Sequence, residues 1–344
     1  MSYARAEIAE QPAALTRLAD RETASIERIA AALRSRPAQY VVIAARGSSD
    51  NAARYAQHVF GLLCGLPVAL ATPSLLTLYD APLRLTGALV IGISQSGASP
   101  DVVRVIAEGA AQGCPTLAIT NDPDSDLAHA AGEVIALHAG PERSVAATKT
   151  YTSSLFAIAL LVAALATDEA AMAGVRAVPD AVARQLARGA DAEALALAAA
   201  AWDRCAVVGR GANYATAFEA ALKIKELTGI VAEPYSPADL MHGPIAVVRG
   251  GFPLLAFAPS GPTMEGMHEL ARAARARGAS VAIASDLPDI TAHGEPLLGL
   301  EPGPDWLSPL VAVVPTQILA VAIAERRGID VDRPFGLEKV TLTN

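Results

Sequence analysis

Ser94-Gln95-Ser96-Gly97-Ala98-Ser99 puts three hydroxyls, a carboxamide and a glycine directly after the apolar run Ala88–Ile93 and directly before Pro100. The run reads as a buried strand. Pro100 suits a first helical position, and Ser99 is a candidate N-cap. The six residues then form a turn between a strand's carboxyl end and a helix's N-terminus. Free backbone N–H groups and the positive end of the helix dipole attract anions there. Neutral serine donors suit a phosphate monoester that must be bound and then released. The plainer alternative is a serine-rich βα loop without a ligand.

Three further places could move protons. Glu219, Lys223 and Glu226 are spaced i, i+4 and i+7, which puts them on one helix face. A solvated charged stripe is the plain alternative. Against it, Leu222 and Ile224 bracket the face, and the helix starts just after a strand, near the ligand crevice of an open α/β sheet. His242 lies in the Gly/Pro loop Met241-His242-Gly243-Pro244, beside Asp239 and after Ser236-Pro237. An exposed imidazole there is suited to proton transfer near neutral pH, although many loop histidines have no such role. Lys339, in Gly336-Leu337-Glu338-Lys339-Val340-Thr341, is the third. A tail lysine carries nothing by itself. No pair of histidines has metal-ligand spacing, so neither a metal nor another cofactor is expected.

The elements that must hold these residues alternate along the chain. Glu7–Arg34 reads as one or two amphipathic helices. Apolar runs at Tyr40–Ala45, Val68–Ala71, Ala88–Ile93, Thr116–Thr120 and Glu133–Leu137 read as strands, with helical stretches at Asn51–Leu63, Leu75–Tyr79 and Asp101–Gln112. Strands alternating with helices predict a parallel sheet covered on both faces. The pattern then restarts. Val42-Ile43-Ala44-Ala45-Arg46-Gly47-Ser48-Ser49 and Val207-Val208-Gly209-Arg210-Gly211-Ala212-Asn213 each end a strand in Arg-Gly and feed an Ala-rich helix. The spacing of roughly 160 residues predicts two copies of one α/β unit. Expected boundaries are N-terminal helices over 1–35, a first unit over 36–166, linker helices over 167–200, a second unit over 201–330 and a tail over 331–344. A dinucleotide reading of Gly209–Tyr214 has two of the three glycines, and Tyr214 would obstruct close helix packing, so that fold is not expected.

Bulk composition narrows the classes. The chain has 344 residues, 52% of them hydrophobic and 4% aromatic, so Ala, Val, Leu and Ile do most of the packing. A net charge of −8 argues against a nucleic-acid partner. Cys64, Cys114 and Cys205 are scattered and odd in number, which fits reduced thiols in a cytoplasmic protein. The N-terminus has no signal-peptide pattern. The apolar runs Leu155–Ala166 and Leu310–Ala324 fall short of the roughly 18–20 uninterrupted residues a span needs, so they read as core helices and no membrane partner is expected.

Taken together, these segments resemble the sugar isomerase (SIS) domain family. Arg46-Gly-Ser-Ser49, Ser94–Ser99, Val145-Ala-Ala-Thr-Lys149, Gly209-Arg-Gly211, Ala221-Leu-Lys-Ile-Lys-Glu226, His242-Gly-Pro244 and Leu337-Glu-Lys-Val-Thr341 are similar to family segments, in family order. The layout is similar to the isomerase half of glutamine–fructose-6-phosphate transaminases and to the stand-alone type II glucosamine-6-phosphate deaminases. The resemblance implies an α/β fold of two tandem SIS units, each a parallel sheet flanked by helices in a doubly wound, flavodoxin-like three-layer sandwich. It implies that Ser49, Ser94, Gln95, Ser96 and Ser99 hold a sugar phosphate, while Gly47, Ser48 and Val145 line the sugar. Glu226 would move a proton between C1 and C2, Lys223 would support it, His242 would assist ring opening and Lys339 would sit by the reacting carbon. A homodimer is also implied, with His242 contributed across its interface and the tail closing the site.

Departures from the family pattern bear on the sugar. Arg46 stands where the synthase has a cysteine and Ala98 where it has an acidic residue. Ala147 replaces a sugar-contacting serine at a substrate-lining position, and Glu338 replaces a small residue. Ser2 follows Met1, so no N-terminal cysteine nucleophile or glutaminase activity is expected of this chain. The resulting expectation is a phosphosugar isomerase/deaminase converting glucosamine 6-phosphate and water to fructose 6-phosphate and ammonia. A fructosamine-6-phosphate deglycase and a non-catalytic sugar-phosphate-binding regulator are the alternatives.

Overall fold

The structure is a computed structural model that describes residues 2–287, 297–337 and 339. In chain order, α1 (Tyr3–Ala9) and α2 (Gln11–Ser35) precede β1 (Tyr40–Ala45), α3 (Ser48–Cys64), β2 (Val68–Leu70) and α4 (Ser74–Thr77). Next come β3 (Ala88–Ser94), α5 (Pro100–Ala111), β4 (Thr116–Thr120), α6 (Asp126–Ala130), β5 (Glu133–Ala136) and α7 (Lys149–Ala166). Three helices follow, α8 (Glu169–Arg176), α9 (Val178–Ala187) and α10 (Ala190–Ala199). Then β6 (Arg204–Val208), α11 (Asn213–Thr228), β7 (Val231–Tyr235), α12 (Pro237–Met241), β8 (Pro253–Phe257) and α13 (Met264–Ala276) run into β9 (Ser280–Ser285). Finally β10 (Leu297–Gly299) leads to α14 (Ser308–Arg326).

Two compact units result, one on each sheet. The first holds residues 11–142 and 149–177 with Lys339; the second holds residues 2–10, 143–148 and the rest through Leu337. The first sheet is wholly parallel in the order β2-β1-β3-β4-β5. Every residue of β3 and β4 is buried, as continuous apolar strands covered on both faces must be. On one face Val102, Val105 and Ile106 of α5 and Leu127 of α6 pack on Val42, Ala44, Val90 and Ala118. Helices α2, α3 and α7 cover the other face. This is the doubly wound three-layer arrangement expected from the sequence.

The second sheet repeats it. Its order β7-β6-β8-β9-β10 has the same topology, again all parallel. Met267, Leu270 and Ala274 of α13 and Leu240 of α12 close one face over Val208, Leu254 and Ile283. Helices α11 and α10 lie on the other face, with α14 packed against both. Strand β7 tolerates Pro234 because it is an edge strand, where a missing N–H interrupts no further pairing.

Helices α7 and α14 are long and apolar enough to cross a membrane, yet 89% and 100% of their most apolar windows are buried. They are core helices, longer than the apolar runs within them. Helix α1 is fastened inside the second unit. The Asp332 carboxylate accepts from the Tyr3 and Ala4 N–H groups at 2.8 and 3.1 Å, capping α1, and Arg5 pairs with Glu193 and Glu325 at 2.8 and 2.6 Å. Expectations for residues 338 and 340–344 of the tail fall outside the described residues.

Candidate active site

In each sheet the strand order reverses between the first and third strands of the unit, and such a switch point opens a crevice at the strands' carboxyl ends. In the first unit the loops after β1 and β3 leave from that point, because Ala45 pairs with Ile93 across the two strands. The β1 loop delivers Gly47, Ser48 and Ser49 at the N-terminus of α3, and the β3 loop delivers Ser94–Ser99 at the N-terminus of α5. The sequence-predicted anion residues of the first sheet are thus gathered around two neighbouring helix N-termini.

The Ser94–Ser99 turn differs in detail from the expectation. Its Gly97 and Ala98 N–H groups are engaged, donating to Ser94 Oγ at 3.1 Å and Ser96 Oγ at 3.3 Å. A ligand would therefore meet the hydroxyl hydrogens of those serines before it met the two amides. Ser99 occupies the N-cap position, but its side chain makes no capping bond. Gly97 has φ of +63°, and a Cβ there would lie 1.9 Å from Ser125 Oγ, so the turn requires glycine on both counts. The Gln95 carbonyl accepts from the Asn121 N–H at 3.2 Å, which ties the turn to the end of β4.

Two ion pairs of the first unit are not apparent in the sequence. Arg46 reaches Asp101 Oδ2 through Nε at 2.7 Å and Nη2 at 2.6 Å; Asp101 is 1% exposed while the Arg46 side chain is 48% exposed. Glu142 is buried and holds the start of α7. Its Oε1 accepts from the Thr150 N–H at 3.1 Å, and its Oε2 accepts from Thr150 Oγ1 at 2.7 Å and Lys339 Nζ at 3.0 Å. Lys339 is thereby anchored within the first unit. Glu142 lies just ahead of Val145-Ala-Ala-Thr-Lys149, but only that later stretch stood out in the sequence.

The second unit carries the other candidates. On α11, Glu219 and Lys223 are fully buried, with Lys223 Nζ 3.7 Å from Glu219 Oε1 and also paired with Glu226 Oε2. A solvated stripe is thus ruled out. Glu226 keeps 26% of its side chain exposed, so a carboxylate accessible to a ligand is held by an ammonium that is not. His242, at the end of α12, brings Nδ1 within 2.7 Å of the Ala238 carbonyl. A carbonyl only accepts, so Nδ1 bears the proton and Nε2 is left to exchange one. Val145 and Ala147 lie on a segment whose Arg143 and Ser144 N–H groups donate to the buried Glu7 of α1, the Ser144 N–H at 3.2 Å from Oε2. At the segment's far end the Gln317 side chain donates to the Thr148 carbonyl at 3.3 Å.

The second sheet's counterpart of the anion turn follows β8. There the Ser260 N–H and Oγ donate to the two oxygens of Asp286 at 2.6 and 2.5 Å. The chain's own carboxylate fills the donors that a phosphate would use. Among the described residues no group of three or more His, Cys, Asp or Glu could hold a metal ion.

The profile of the SIS domain matches residues 21–164 and 200–321, one stretch for each sheet. The chain belongs to the SIS domain family. Among relatives, the isomerizing glutamine–fructose-6-phosphate aminotransferase of Methanothermobacter thermautotrophicus is 35% identical over 302 residues, 87% of this chain and 51% of that protein. The chain spans about half the length of such relatives. A Silicibacter pomeroyi crystal structure, provisionally described as a phosphosugar isomerase, is 38% identical with a TM-score of 0.89, over 96% of this chain and 100% of that one. The C-terminal domain of glucosamine-fructose-6-phosphate aminotransferase from Francisella tularensis is 25% identical with a TM-score of 0.88, over 97% and 98%. Glucosamine-6-phosphate deaminase of Thermotoga maritima shares the fold at 21% identity, with a TM-score of 0.78 over 99% and 100%. The two SIS units of this chain thus keep the family fold from end to end.

Proposed function

We propose that this SIS protein is a phosphosugar aldose–ketose isomerase/deaminase that converts glucosamine 6-phosphate and water to fructose 6-phosphate and ammonia. The observation that carries the reading is Glu226, an accessible carboxylate held in place by the buried Lys223 ammonium. Similarity to isomerizing aminotransferases over 87% of the chain supports the substrate class. In this reading Ser49, Ser94, Gln95, Ser96 and Ser99 hold the phosphate, and Gly47, Ser48, Val145 and Ala147 line the sugar. His242 Nε2 exchanges the proton that opens the ring. Glu226 takes the C2 proton and returns it at C1, giving a ketimine that water hydrolyses, and the Lys339 ammonium sits beside the reacting carbon.

A second copy of the chain supplies His242 in this proposal. Its exposed position, flanked by Met241 at 47% and Val247 at 51% exposure, supports that role. The decisive measurement is release of ammonia and ketose phosphate from glucosamine 6-phosphate, with galactosamine 6-phosphate alongside. Glu226→Gln is expected to lower kcat by about 10²–10⁴-fold, the usual worth of a positioned general base. Wild-type turnover in that variant would remove Glu226 from the mechanism.

A fructosamine-6-phosphate deglycase is the second reading. It is favoured by the small, exposed Ala98 and the small Ala147, which leave room for a larger amino substituent. A panel of amino-sugar and glycated amino acid phosphates, ranked by kcat/KM, separates the two. Binding without turnover of any member would instead point to a regulator.

A further inference from the structure

The serine turn of the first SIS unit carries little positive charge of its own. No Lys or Arg lies between Ser94 and Asp101, and two of its amides already bond its own hydroxyls. The N-terminus of α5 supplies positive potential, but Asp101 in its first turn places Oδ1 2.9 Å from the Val102 N–H. That carboxylate is buried, and it both satisfies a helix amide and opposes any anion arriving at the turn.

Arg46 stands where this opposition can be removed. It follows β1 as Ser94 ends β3, and the pairing of Ala45 with Ile93 sets the two residues at the same level of adjacent strands. Two of its nitrogens grip Asp101 Oδ2, while Nη1 has no partner among the described residues and the side chain is half exposed. A guanidinium fixed by a buried carboxylate is oriented before a ligand arrives, and its remaining N–H groups match phosphate oxygens.

We propose that Arg46 is the cation of the phosphate site, neutralising Asp101 and presenting its free edge to the phosphate dianion. The inference rests on the phosphosugar reading above and adds a specificity-determining residue to it.

The test uses the full chain, with inorganic phosphate as a competitive inhibitor and glucosamine 6-phosphate as substrate. Arg46→Gln should raise both the phosphate inhibition constant and the KM by about tenfold or more, with kcat within about threefold, because charge-assisted bonds to phosphate are lost. Arg46→Lys should recover part of that loss. Asp101→Asn, which keeps the guanidinium and removes the opposing charge, should tighten phosphate several-fold. It also keeps the proposal testable if Arg46→Gln fails to fold.

The proposal is overturned if folded Arg46→Gln binds phosphate within twofold of wild type, if its kcat falls with KM unchanged, or if Asp101→Asn leaves phosphate affinity unaltered. A wild-type chain that neither binds phosphate nor turns over a phosphosugar would overturn the functional reading as well. Normal wild-type turnover with an indifferent Arg46→Gln would overturn only the role of Arg46.

Discussion

One ammonium on α11 serves two carboxylates of unequal exposure. Lys223 is buried with Glu219, while Glu226 reaches solvent from the same cation. Removing Lys223 would strip a buried ammonium from the Glu219 carboxylate, and breaking a buried pair in this way costs about 3–5 kcal/mol. Lys223→Met should therefore lower stability by that order in a urea melt. The double variant Glu219→Gln/Lys223→Met should regain most of it, and equal losses in both variants would show that the pair is not the source. The shared face of these three residues is legible from their spacing, since 3.6 residues per turn settles it. Their burial is not, because it depends on what packs over α11. Arg46 with Asp101 and Glu142 with Lys339 are harder still. Each pair joins residues 55 or 197 positions apart, and no local periodicity links them.

Among the elements, the strands of the first sheet are the plainest. Continuous apolar runs bounded by polar residues place β1, β3 and β4 within a residue of where they lie. In the second unit only β6 stands out; β7 carries Glu233 and Pro234, β10 has three residues, and the interior strands β8 and β9 are not singled out by the sequence either. Helix α1 shows a different gap. Its amphipathic pattern is visible, but not that Asp332 caps it or that Glu7 holds the segment bearing Val145 and Ala147. Its attachment is sensitive to acid. The hydrogen bond from Arg5 is the main reason that the Glu325 carboxyl titrates below its ordinary 4.5. A lowered folded-state value means that this stabilisation is present above about pH 4.5 and is lost as the pH falls below it. The melting temperature of Arg5→Gln should thus lie below wild type at pH 7, and the two should converge as the pH is taken well below the ordinary carboxyl range. A gap that persists in acid would assign the effect to packing of the Arg5 stem instead.

Across the molecule, the recurrence of Arg-Gly after two strands announces a duplication, and both sheets have the same strand order. Sequence periodicity says nothing, however, about which copy keeps an anion turn open. Ser260 and Asp286 answer that, since the second copy's turn is closed by its own carboxylate. The outcome is a matter of stoichiometry. Two homologous turns should yield a single equivalent of bound phosphate per chain in a calorimetric titration, and a second equivalent would mean that Asp286 gives way to the ligand. A single equivalent would mean that duplication doubled the scaffold without doubling the capacity, and that the second copy's turn was free to diverge once Asp286 had taken its donors.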